Sequence, residues 1–209
     1  MVYVSADSIY FFTAFDRIIY DQLALPLNEH IKSWKFDRDS VEKFILEKYP
    51  DHLYKKLDHL GHYIHIVKEA YVKYSLRQIR IPGFSPPKIA SGASKNSPDT
   101  YTLFSINKAG NVFFVDYLTN KDKSELDDLF VYRGMPIGVE IGKITNRRLV
   151  SRKRRMLSLA YGEPSYIFRF SFGIIDDPQI ERGVTNFWFL NDQGIYDLAQ
   201  ELFQRYNNS

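Results

Sequence analysis

Two acids, one opening a short apolar strand and one inside the next, are the residues of this chain most able to do chemistry. They are Asp128 and Glu140 in the run Asp128-Leu-Phe-Val-Tyr-Arg-Gly-Met-Pro-Ile-Gly-Val-Glu140-Ile-Gly-Lys143. A carboxylate within an apolar strand is costly to bury unless something pairs it. A divalent cation shared with a second carboxylate is one solution, and a turn at Arg133-Gly-Met-Pro136 would bring the two acids onto neighbouring strands. Mg²⁺ or Mn²⁺ suits such a pair, because both take carboxylate, carbonyl and water oxygens. A cation held there would activate a water and neutralise charge building on a phosphate. The plainer alternative is that Asp128 only opens a strand and Glu140 lies on an exposed edge.

Just downstream, six of the nine residues from 147 to 155 are basic: Arg147, Arg148, Arg152, Lys153, Arg154 and Arg155. A helix over 149–161 with an apolar stripe of Leu149, Met156, Leu157 and Ala160 would turn most of these cations outward. Arginine forks bind phosphate bidentately, and each neutralised phosphate adds salt-dependent affinity, so the segment is expected to contact nucleic acid. A charge run is more often a solvated helix face, but here no acid is interleaved to make pairs along that face. Two acids beside a dense cationic segment suit a metal-dependent enzyme acting on a polyanion.

The remaining elements must position these groups. Residues 1–36 read as one or two helices ending before Pro26, and Asp39-Ser40 as the cap of a helix that stops near Pro50. Apolar residues at three- and four-residue spacing from Leu57 to Tyr74 predict one long helix over 53–80. The Pro/Gly/Ser-rich stretch 83–98 is expected to be a flexible connection. Strands follow over 100–106, 111–118, 129–133 and 137–144, with a hairpin at Ala109-Gly110-Asn111. The basic helix, a strand over 166–174 and a terminal helix over 196–206 complete a single domain, 1–209. Residues 1–82 are mainly helical and residues 99–209 hold the sheet, so the expected class is α/β with a mixed sheet.

Composition narrows the chemistry. The chain has 209 residues and no cysteine, which excludes disulfides, zinc–thiolate sites and thiol nucleophiles. Its net charge of +3 is modest, and the concentration of cations after residue 142 says more. The N-terminal run lacks a basic leader and is broken by Asp7, Asp16 and Arg17, so neither a signal peptide nor a membrane span is expected, and the location should be intracellular. His59, His62 and His65 recur every third residue, with His52 upstream, but this spacing drifts around a helix and reads as a polar face. Gly92-Ala-Ser-Lys95 lacks the spacing of a phosphate-binding loop, and no Ser/His/Asp arrangement is legible.

The segment 128–140 resembles the core hairpin of the PD-(D/E)xK nuclease superfamily, the group with restriction-endonuclease-like and archaeal Holliday-junction-resolvase-like folds. That family shows an Asp opening one strand, a Gly/Pro hairpin, Glu-x-Lys in the next strand, then a helix and another strand. The resemblance covers roughly residues 53–175. It implies a restriction-endonuclease-like core, with a central mixed sheet flanked by helices and an added N-terminal helical region. Small proteins of this fold occur in viruses of hyperthermophilic archaea, including the crenarchaeal spindle-shaped viruses, and the Tyr/Ile/Lys-rich, Cys-free texture here is similar. In that case the location would be the host cytoplasm.

By the resemblance, Asp128 and Glu140 are the metal ligands, with the Ile141 carbonyl as a third, although Asp127 competes with Asp128. Asp116 and Glu69 are further acids that would join from a neighbouring strand and from the long helix. The motif's lysine position is occupied by Gly142. Lys143 fills the role if a bulge at the glycine re-aims it, Arg152 or Lys153 fills it from the following helix, or catalysis has been lost and binding kept. The implied function is Mg²⁺-dependent hydrolysis of DNA phosphodiesters in replication, repair or recombination, by a homodimer presenting two basic helices to its substrate. The alternatives are a non-catalytic nucleic-acid-binding protein of the same fold and an interaction module whose basic helix meets an acidic partner.

Overall fold

A computed structural model describes residues 14–53, 59–87, 91–97, 100–116, 123–142, 147–161, 165–173, 179–181, 183–189 and 192–207. The helices are α1 (Ala14–Ile19), α2 (Leu25–Lys32), α3 (Arg38–Lys48), α4 (Pro50–Leu53), α5 (Leu60–Gln78), α6 (Arg147–Tyr161) and α7 (Gln193–Asn207). Two sheets accompany them. A six-stranded mixed sheet has the order β1 (Phe84–Ser85), β6 (Asp128–Tyr132), β7 (Met135–Ile141), β8 (Tyr166–Phe172), β10 (Val184–Phe189), β9 (Gln179–Glu181). A four-stranded antiparallel sheet runs β2 (Ser91–Ser97), β3 (Thr100–Ile106), β4 (Val112–Asp116), β5 (Lys123–Leu126).

The protein is therefore α/β, with a mixed sheet flanked by helices. Strands β6 and β7 form an antiparallel hairpin, whereas β7, β8 and β10 are parallel neighbours. Parallel neighbours need a long crossover, and α6 supplies the one between β7 and β8. The hairpin turn is two residues, Arg133 and Gly134, with φ of +48° and +87°. Positive φ at both positions matches the right-handed twist of the flanking strands. Arg133 tolerates that conformation while its guanidinium donates to Gln22 Oε1 at 2.8 Å.

Strand alternation divides the core in two. Ile137, Val139 and Ile141 of β7, with Tyr166, Phe168 and Phe170 of β8, join the helices of the N-terminal half and α7. Phe170 stacks on Phe187 of β10 at 5.0 Å, and Trp34 on Phe189 at 5.4 Å. On the opposite face Leu129 and Ile167 meet Val150, Met156, Leu157 and Ala160 of α6, together with Val112 and Leu126 from the smaller sheet. Helix α6 thus lies between the two sheets.

Several expectations are corrected. The helical path does not stop before Pro26: a π-helical turn, Tyr20–Ala24, precedes it, and the Leu25 N–H bonds back to Tyr20 O. Proline crowds the carbonyl four residues earlier, and the wider turn makes room for it. The cap of α3 is Asp37, whose carboxylate accepts from the Ser40 N–H at 3.3 Å and from its hydroxyl at 2.7 Å. The long helix begins at Leu60, with α4 a separate short turn; residues 54–58 lie outside those described. The 83–98 stretch is not all connection, because β1 pairs with β6 and β2 pairs with β3. Backbone pairing with a partner overrides the weak strand propensity of Ser and Gly there. Among the described residues no helix is long and apolar enough to cross a membrane.

Candidate active site

The β6–β7 register ends with Asp128 opposite Val139, and just outside it the Asp127 N–H donates to Val139 O at 3.0 Å. Cross-strand partners share a face, and successive residues alternate. Glu140 lies on the face covered by α6, where Lys153 reaches it and the Asp127 charge is felt. Asp127 Oδ2 accepts from the Ile141 N–H at 2.5 Å, and Glu69 of α5 is the charge that acts on it most. Asp128 points toward α5. There Arg77 donates to its Oδ2 at 2.6 Å and the Leu129 N–H to its Oδ1 at 2.8 Å. Of the two neighbouring acids, Asp127 is the one whose charge raises Glu140, and Asp128, preferred from the sequence, is a buried partner of Arg77.

The polar row continues across the sheet. Glu140 is registered with Arg169 on β8, and Arg169 with Asn186 on β10, where the Arg169 Nε donates to Asn186 Oδ1. Lys153 descends onto the row from α6. Its Nζ lies 2.7 Å from each Glu140 oxygen, and its side chain is 13% exposed. Val150, Lys153, Arg154 and Leu157 follow the three- and four-residue spacing of one helix stripe, so Lys153 shares the sheet-facing side with the apolar residues.

A second network abuts the first. Lys73 of α5 is fully buried, 2.5 Å from Glu69 Oε1, and donates to Asn111 Oδ1 at 3.0 Å. The Asn111 amide donates to Glu69 at 3.2 Å and to Glu125 at 3.0 Å, and the Tyr49 hydroxyl donates to Glu69 at 3.0 Å. At the exposed end His65 Nε2 lies 3.7 Å from Glu69 Oε2. A buried Lys–Glu pair is tolerated only with its remaining hydrogen bonds made, and Asn111 and Tyr49 make them.

Charge crowding shows in the titration of these acids. Burial, and then the Asp127 charge, push Glu140 up to about 8 against the pull of Lys153. Burial, and then Glu69, push Asp127 up to about 6, opposed by the Ile141 N–H and the two lysines. For Glu69, burial is outweighed by Lys73, and its carboxyl is held below the usual range. Groups whose folded pKa is raised bind protons more tightly in the native state, so their stabilisation is complete at low pH and is lost as pH rises through the folded value. In EDTA the melting temperature should fall from about pH 4 and level off near pH 8 on account of Asp127 and Glu140. Glu140→Gln should remove the part of that fall between about pH 6 and 8, which thermal melts at matched ionic strength would read.

Among the described residues no group of three or more His, Asp or Glu side chains is arranged as a ready-made metal site. Asp127 and Glu140 are the carboxylates that would hold Mg²⁺ or Mn²⁺, and Lys153 takes both oxygens of Glu140. Mg²⁺ is commonly held by one or two carboxylates, with water and substrate phosphate completing the shell. Two crowded carboxylates with raised pKa values are also the groups a cation would relieve.

The other anticipated residues fall as follows. Lys143 lies outside the described residues, and β7 ends at Ile141, with Gly142 at φ +112° closing the strand rather than bulging within it. Arg147 and Arg148 open α6, but their side chains are outside those described, as is that of Asp116 at the end of β4. Arg155 is exposed and Arg152 half-buried. Arg154 is not turned to solvent: its guanidinium packs against Gly183, where any Cβ would collide with it. Of the candidates for the missing motif lysine, the structure brings Lys153 to the acids. Sequence reasoning passed over Asn111, Lys73 and Arg169, and only the strand register of Arg169 could have signalled one of them. No family model matches the chain, and neither the curated proteins nor the solved structures include one similar to it.

Proposed function

We propose that the protein is a metal-dependent nuclease that hydrolyses phosphodiester bonds of DNA, with Asp127, Glu140 and Lys153 at its centre. The observation that carries this reading is buried Glu140, raised by the neighbouring Asp127 charge, with a lysine amine 2.7 Å from both its oxygens. Two acids and a lysine on a strand–turn–strand–helix unit are the groups that the resemblance to PD-(D/E)xK nucleases calls for, with the lysine supplied from the helix.

The residues divide the work. Asp127 and Glu140 would hold Mg²⁺, with Asp127 fixed by the Ile141 N–H and Glu140 by its place under α6. When bound, the cation lowers the pKa of a water and offsets charge on the phosphate. Lys153 orients Glu140 and presents its remaining N–H to the attacking water or a phosphate oxygen. Arg169, next in the row, meets the adjacent phosphate oxygen. Water adds to phosphorus as the bond to the leaving oxygen breaks; the water gives up a proton to solvent, and the leaving oxygen takes one from solvent to depart as the hydroxyl. Arg147, Arg148, Arg152 and Arg155 hold the backbone of the strand without reading bases.

A nuclease of DNA acts where DNA is, so an intracellular location is part of this proposal. A homodimer belongs to it on substrate grounds, because cutting both strands of a duplex or junction needs two centres. The test is cleavage of labelled duplex, single-stranded and four-way-junction DNA in Mg²⁺, Mn²⁺ or EDTA, with light scattering for the dimer. Metal-dependent cutting lost in Glu140→Gln supports the reading. Tight, salt-sensitive binding with no cutting in either metal replaces it with a non-catalytic nucleic-acid-binding protein.

A further inference from the structure

At the start of β6, beside Asp128 and Leu129, lies a cavity of about 240 Å³. Its walls carry three cations, Lys48, Arg77 and Lys108, and one acid, Asp128. The acid is already engaged, since Asp128 accepts from Arg77 through one oxygen and from the Leu129 N–H through the other. Arg77 Nη1 serves Asp128 and the Lys73 carbonyl, while Nη2 is directed at Gly110, where a Cβ would stand only 2.8 Å from it. Gly110 has φ +93°, so a residue without a side chain is required there on two counts. Lys48 also meets Glu47 at 2.7 Å on the open surface, a contact that solvent screens. Pro86 and Pro87 supply an apolar flank.

Cations in excess of acids, a fixed guanidinium and an apolar wall together suit an anion carried on a less polar body. The volume admits several waters' worth of ligand, enough for a phosphate and part of a sugar. We propose that this cavity binds the phosphate at the end of a nucleic-acid strand. A terminal phosphate has a second pKa near 6 and approaches two charges at neutral pH, whereas an internal phosphate carries one, so the surplus of cations favours the end. That the phosphate belongs to a nucleic acid rests on the nuclease reading; that the ligand is a phosphate rests on the cavity. Adjacent residues link the two sites: Asp127 neighbours Glu140 and Asp128 lines the cavity.

The experiment is fluorescence anisotropy in EDTA, with single-stranded oligonucleotides bearing a 5′-phosphate, a 3′-phosphate or hydroxyls at both ends, and with inorganic phosphate as competitor. One phosphorylated form should bind about tenfold tighter than the hydroxyl form, the size of one charge-assisted hydrogen bond. The doubly substituted Lys48→Gln/Lys108→Gln protein should lose that preference, and Lys32→Gln, elsewhere on the surface, should keep it. Both lysines are peripheral to the core, and a thermal melt verifies the fold. Equal affinity for all three oligonucleotides overturns the proposal, as does a preference that survives the double substitution. Competition by inorganic phosphate without any preference for a phosphorylated strand also overturns the assignment to a strand end. Because EDTA removes cleavage from the readout, this proposal and the nuclease reading fail separately.

Discussion

Asp127→Asn should lower Mg²⁺-dependent DNA cleavage by at least about 100-fold and leave the melting temperature nearly unchanged, whereas Asp128→Asn should do the reverse. Loss of a group that merely supports a metal ligand already costs roughly 10–100-fold, and loss of a ligand costs more. Asp127 is crowded by Glu140 and Glu69, so neutralising it relieves repulsion in the metal-free fold. Asp128 is a buried partner of Arg77, and removing its charge strands a guanidinium within an apolar layer. That should destabilise by about 2–3 kcal/mol, below the full cost of breaking a buried pair because Arg77 is partly solvated. Cleavage rates beside melting curves for the two variants decide the matter. Loss of cleavage in Asp128→Asn at an unchanged melting temperature, with Asp127→Asn active, would reject the assignment.

Lys153→Gln should reduce cleavage by about 100-fold, within the range for removing a positioned donor at a reacting phosphate. Binding of DNA in EDTA should change by less than about threefold, because the amine is held on Glu140 beneath the helix and not at the surface. Arginine at this position should keep the pairing with Glu140 through its fork but restore little cleavage, since a guanidinium engaged with both oxygens lacks a donor where the third ammonium N–H stood. A parallel loss of binding and cleavage, with a shallower salt dependence, would make Lys153 one more backbone contact and remove it from the catalytic group. Measuring both quantities on the same preparation separates these outcomes.

How much of the fold and site is legible in the sequence depends on whether the signal is local. The hairpin at residues 128–141, the long helix and the basic helix all announce themselves through turn residues and apolar spacing. The choice between Asp127 and Asp128 does not, because neighbouring acids exchange faces with a one-residue change in register, and register is set by partners distant in sequence. The orientation of α6 misleads for a related reason. A helix lying between two sheets has two apolar sides, so its stripe is broad, and Lys153 and Arg154 sit inside it among Val150 and Leu157. Strand β5, Lys-Ser-Glu-Leu, has no strand signature of its own and exists through pairing with β4. Strand β10, Val-Thr-Asn-Phe-Trp-Phe, carries a plain apolar run, although the expected strands stop at residue 174. The Glu69–Lys73–Asn111 network joins residues about forty positions apart, beyond any short-range pattern.

Strand β5 ends at Leu126 in the smaller sheet and β6 begins at Asp128 in the larger, so residue 127 alone separates these two strands. The acid proposed to hold the cation is therefore mounted where the chain crosses from one sheet to the other. Its main-chain N–H and its carboxylate are both tied to β7, while the chain immediately before it belongs to the other sheet. The four-stranded sheet cannot, on this geometry, be an interchangeable decoration. Deleting or swapping it would release one side of that crossing, so the two sheets can be transplanted only together.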